Sequence, residues 1–75
     1  MMPDFKFSQQ FLDELDREDL SLTQGADPEV AHTRYAAVCN PEGEPLAVLW
    51  EIDERTSVFE VEQELLFQLE GVLEG

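Results

Sequence analysis

The feature that most constrains this chain is its C-terminal segment, VFEVEQELLFQLEGVLEG, residues 58 to 75. At about 100° per residue, Val58, Phe59, Val61, Leu65, Leu66, Leu69, Val72 and Leu73 fall in one stripe roughly 160° wide, as in a helix packed on a core. Ser57 followed by Glu60 places an S-x-x-E capping box directly before it. A helix with so broad an apolar face needs a partner surface, which the rest of the chain has to provide. Glu62 falls inside the stripe, near its start, where its carboxylate could reach solvent or pair with Arg34 or Arg55.

Phe67 breaks the pattern in the opposite sense. It lies about 180° from Val58 on the same wheel, among Glu60, Gln63, Glu64, Glu70, Gly71 and Glu74. A single exposed apolar side chain is ordinary, and a second layer of chain over the helix would also account for it. The functional reading is a contact anchor, because aromatic residues ringed by polar ones are favoured at the centre of interfaces.

Upstream, FSQQFLDELDREDL reads as a short helix. Ser8 is the N-cap, and Phe7 and Leu12 have the spacing of a hydrophobic staple. Phe7, Phe11, Leu12 and Leu15 share one face, and the helix should fade near Asp19, where acids oppose its dipole. Phe5 and Phe7 alternate around Lys6, as in an extended lead-in. Residues 20–29, LSLTQGADPE, read as a connection, with Gly25 and Asp27-Pro28 as turn chemistry. Asp27, Pro28 and Glu29 could also open a second helix, but a strand over residues 30–40 is preferred because NPEGEP follows as a turn, with Gly43 free to take positive φ. Leu46, Val48, Trp50 and Ile52 then alternate with Ala47, Leu49, Glu51 and Asp53, which is strand periodicity. The expected fold is a single α+β domain over residues 1–75: helix, β-hairpin, helix (αββα). Trp50 and Ile52 of its two-stranded antiparallel sheet should meet Leu65 and Leu69 under the helices. Such a hairpin keeps an open edge unless Phe5–Phe7 or another chain pairs with it.

Charge narrows the partners. The chain carries 18 acids and 4 bases, net −14, and residues 51–75 hold eight acids against Arg55 alone. Direct binding to nucleic acid or to an anionic membrane is disfavoured by like charge, and a basic protein surface is the natural complement. Solubility alone is the bland reading of the same imbalance. The 43% apolar content argues against disorder. One cysteine, Cys39, excludes an internal disulfide and suits a reducing compartment. MMPDFKF lacks the apolar core of a signal peptide, so the expected location is the cytoplasm.

Catalytic and metal signatures are missing from the pattern. His32 and Cys39, at an odd separation in one strand, would point to opposite faces. DELDRED lacks the glycine and alternating oxygens of a calcium loop. No enzyme activity, cofactor or metal is expected. Glu60 and Glu64, and likewise Glu70 and Glu74, stand about 6 Å apart along the axis at 1.5 Å per residue, a length scale on which a carboxylate row can imitate a phosphate backbone. The expected function is therefore that of an inhibitor that occludes a basic, nucleic-acid-binding surface of another protein, such as a nuclease. Glu60, Glu64, Phe67, Glu70 and Glu74 would make the contact, with Glu51, Asp53 and Glu54 beside them. Small acidic anti-defence proteins of phages and mobile elements, and bacterial immunity proteins, have this compositional character; no motif carries the likeness further. The alternative expectation is a homodimeric, chaperone-like adaptor that self-associates through Phe67 or the hairpin edge, its acidity serving solubility.

Overall fold

The computed structural model describes residues 4–74; Met1–Pro3, part of the stretch read for a signal peptide, and Gly75 lie outside the described residues. Helix α1 spans Gln9–Arg17, strands β1, β2 and β3 span Ser21–Ala26, Arg34–Cys39 and Pro45–Ile52, and helix α2 spans Val58–Glu74. The strands form one antiparallel sheet in the order β1-β2-β3. The sheet is thus three-stranded, not the expected two-stranded hairpin, although the class remains α+β. No helix among the described residues is long and apolar enough to cross a membrane.

The additional strand is the segment read as a connection. Gly25 does not turn the chain there. It sits opposite Tyr35 across β1 and β2, and a Cβ at Gly25 would stand 3.2 Å from the Tyr35 ring, so glycine admits a close approach within a strand. The turn chemistry begins two residues later. Asp27 accepts the Glu29 N–H on Oδ1 at 3.0 Å and donates its own N–H to the Thr33 carbonyl at 3.0 Å. Residues 27–33 are therefore a loop rather than a helix start, and His32, expected in a strand, lies in that loop at φ 64°.

The remaining turns follow their chemistry. Gly43 donates to the Asn40 carbonyl at 2.9 Å and takes φ 86°, closing β2 to β3 as a hairpin. Ser8 caps α1 by accepting the Phe11 N–H at 3.3 Å. At its other end, Leu20 donates to the Leu15 carbonyl at 2.8 Å and Asp19 to that of Asp16 at 3.1 Å. With Asp19 at φ 56°, this is a Schellman termination, and it stops α1 more definitely than the acids of its last turn would. Ser57 and Glu60 exchange reciprocal bonds at the start of α2 (3.2 and 3.3 Å).

The core lies between the two helices and one sheet face. Phe11 and Leu15 of α1, Ala36 and Val38 of β2, Ala47 and Ile52 of β3, and Val61, Leu65 and Leu69 of α2 are buried together, with Phe5 and Leu20. Glu62 is only 7% exposed, so its carboxylate does not stand in solvent, and the partner that meets it is Ser8 rather than either of the two arginines considered. Its carboxylate accepts the Ser8 main-chain N–H at 2.8 Å and the Ser8 hydroxyl at 3.3 Å, which fastens α2 to the positive end of the α1 dipole. The Arg34 guanidinium stands 3.8 Å over the Phe5 ring.

Two glutamines act as substitutes for strands. The Gln24 side-chain amide takes the N–H and carbonyl of Phe5 (2.7 and 3.1 Å), holding the extended lead-in. The Gln68 amide takes the N–H and carbonyl of Val48, both at 3.0 Å, so α2 covers part of the free edge of β3, where unpaired main chain invites aggregation.

Candidate functional site

Strand β3 does not keep the simple alternation of its sequence. Arg34 pairs with Ile52 but Ala36 pairs with Leu49, so the register shifts by one residue at Trp50–Glu51, a β-bulge. Glu51 takes φ 55° there, and its N–H is held at 3.1 Å by Oδ2 of the buried Asp27. The bulge returns Ile52 to the core and leaves Trp50 on the outer face, its ring 5.3 Å from that of Tyr35. Trp50 is 59% exposed, which corrects the expectation that it packs on Leu65 and Leu69.

Phe59 is corrected in the same way. It lies at the margin of the apolar stripe and is 65% exposed, because the narrow sheet is covered by Val61, Leu65 and Leu69. Val72 and Leu73, also placed in the stripe, are exposed at the C-terminal end of α2. Phe67 lies where the wheel puts it, at the centre of the outward face and 74% exposed. Glu60, Gln63, Glu64, Glu70, Gly71 and Glu74 around it are all exposed as well.

Between the outer end of β3 and the first half of α2 runs a groove of about 580 Å3. Trp50 and Phe59 are among its lining residues, and Ile52 and Val61, both buried, present apolar surface within it. Glu51, Glu60 and Glu64 also line it, and no lysine or arginine does. Glu60 is partly committed to its capping bond with Ser57, although a carboxylate has acceptor sites to spare.

The structure thus divides the eight candidate residues. Glu51, Glu60 and Glu64 converge on the groove. Phe67, Glu70 and Glu74 continue the outward face of α2 beyond it. Asp53 and Glu54 sit in the β3–α2 turn beside Arg55. Oδ1 of Asp53 accepts from the Thr56 hydroxyl (3.0 Å) and the Arg55 and Thr56 main-chain N–H groups (2.9 and 3.0 Å). These bonds, the Thr56 hydroxyl first, hold its carboxyl below the ordinary aspartate range. Its role in the turn is structural.

Trp50 and Phe59 were not singled out from the sequence. A strand pattern puts Trp50 on the same face as Ile52, and the bulge, held by an aspartate 24 residues away, separates them: Ile52 turns into the core while Trp50 stays on the outer face with Val48. His32 and Cys39 do not meet: one is in the β1–β2 loop, the other at the far end of β2, half-buried on the outer sheet face opposite Ser21. Comparison with protein-family models, with curated proteins and with solved structures gave no match.

Proposed function

We propose that this protein is a small acidic binding protein that occupies a basic surface of a partner protein, of the kind that otherwise receives nucleic acid, and acts by occlusion without chemistry. The observation that carries the reading is the exposed Phe67 ring set among exposed carboxylates on α2. An aromatic anchor with an acidic rim selects a basic partner and speeds its encounter. The placement of Glu70 and Glu74 supports it further. They stand four residues apart toward the C-terminal end of α2, whose last turn has no basic residue, and Glu74 there opposes the helix dipole at a cost of about 0.3–1 kcal/mol. Stability alone does not favour that placement.

The test is retention of proteins from a bacterial lysate on wild-type protein and on the Glu64→Gln/Glu70→Gln/Glu74→Gln variant. The reading requires proteins that wild type holds, that excess duplex DNA releases, and that the variant fails to hold. Identical retention on both, or retention indifferent to DNA, overturns it.

A second reading, self-association as an adaptor, is favoured by the open face of the sheet. In the observed register, Ser21, Thr23, Gly25, Tyr35, Ala37, Cys39, Val48 and Trp50 share the face opposite the helices, and none is charged. Sedimentation of wild type beside Ala37→Glu and Phe67→Ala separates the two. A dimer lost in either variant favours self-association through the altered surface; a monomer throughout favours the basic partner.

A further inference from the structure

We propose that the groove between Trp50 and Phe59 is the seat for a short partner segment that carries arginine beside apolar residues. This rests on the reading above, deepening it from a basic surface to a specific kind of contact. A volume of about 580 Å3 lies in the range of sites that bind drug-sized ligands, and so suits two or three residues of a peptide better than one side chain. Ile52 and Val61 provide apolar surface for an aliphatic side chain. Trp50 and Phe59 present exposed aromatic rings at the same groove, and Glu51 and Glu64 place carboxylates beside them.

Charge decides among occupants. An acidic segment, a nucleic acid or a second copy of this net −14 chain would set anions against glutamates that no lysine or arginine in the lining offsets. A wholly apolar segment would leave those glutamates without a counter-charge. Arginine meets both demands: its planar guanidinium stacks on an aromatic ring and forks to a carboxylate, whereas lysine is a compact, strongly hydrated point charge. The bulge that parts the outward Trp50 from the inward Ile52 also sets Glu51 in the left-handed region, a strained conformation for glutamate, and both Trp50 and Glu51 line the groove.

Trp50 is the only tryptophan, so its emission reports on the groove directly. The probe is a blocked hexapeptide of alternating arginine and leucine, compared with lysine–leucine and arginine–glycine versions. The inference predicts a saturable blue shift with the arginine–leucine peptide and several-fold weaker binding of the other two. It also predicts about tenfold weaker binding in Phe59→Ala and in Glu51→Gln/Glu64→Gln, and at most a twofold change in Leu73→Ala, an exposed position of α2 outside the groove lining. Phe59 is largely exposed, so its variant should remain folded; an unchanged unfolding midpoint checks this. Equal binding of the arginine–glycine peptide, or indifference to Phe59→Ala, means diffuse charge attraction only and overturns the inference. DNA-sensitive retention of basic proteins by wild type but not by the α2 variant would then still uphold the broader reading; loss of that retention with peptide binding intact would leave the groove and remove the broader reading.

Discussion

Oδ2 of Asp27, in the β1–β2 loop, accepts the main-chain N–H of Glu51 at the β3 bulge, 3.1 Å away. One buried carboxylate therefore holds both its own loop, through Glu29, and the strand kink that sets Trp50 and Glu51 at the groove. Replacing Asp27 with alanine leaves two main-chain donors without their acceptor. The expected loss is about 1–3 kcal/mol, measured by urea unfolding, with faster amide exchange at Glu51. Asparagine should recover only part of it, since its single carbonyl oxygen replaces two carboxylate acceptors.

Asp19 is in the C′ position of the α1 Schellman motif, at φ 56°. Glycine takes that conformation without steric cost. Asp19→Gly should stabilise the protein by about 1 kcal/mol and raise its melting temperature by several degrees for a domain of this size.

The pH dependence of the β3–α2 turn has a definite sign. The Asp53 carboxyl titrates below the ordinary aspartate range in the folded protein, mainly through the Thr56 hydroxyl and the Arg55 N–H. Its folded pKa thus lies below the unfolded value of about 3.9. Its stabilising contribution is fully present above that value and is lost as pH falls through the folded pKa. Thr56→Val should raise the Asp53 pKa toward the ordinary range, as read by carboxyl chemical shifts between pH 2 and 6.

Glu70 and Glu74 should show a trade-off between stability and binding. Glu70→Gln/Glu74→Gln is expected to stabilise the free protein by a few tenths of a kcal/mol per site, through relief of the helix dipole and of like charge. The same variant should weaken binding to a basic partner and flatten its salt dependence. Parallel calorimetric melting and titration at two salt concentrations check both halves.

Local signals in the sequence accounted for the helices and the β2–β3 turn. Ser8 and the Ser57–Glu60 box mark helix starts within a turn of where they act, Gly43 fits its turn without outside help, and helical spacing alone places Phe67 outward. Contacts distant in sequence decided the rest. Gly25 has the composition of a turn and is needed because the Tyr35 ring comes from the next strand. Glu51 has no intrinsic preference for positive φ, so the bulge was invisible without Asp27. Glu62 looked like an error in an apolar stripe until Ser8, 54 residues earlier, met it. Half of the candidate surface, the outward face of α2, could be read from periodicity; the groove could not, because the bulge and the narrow sheet that make it are tertiary.

The most direct test of the central claim is an amide chemical-shift map of the labelled protein on titration with a basic protein recovered through DNA-sensitive retention. The account predicts that the largest changes fall on residues 50–54 and on the outward positions of α2 around Phe67, and that they shrink at higher salt. Changes centred on Thr23, Tyr35 and Ala37 of the open sheet face, with α2 unmoved, would contradict it.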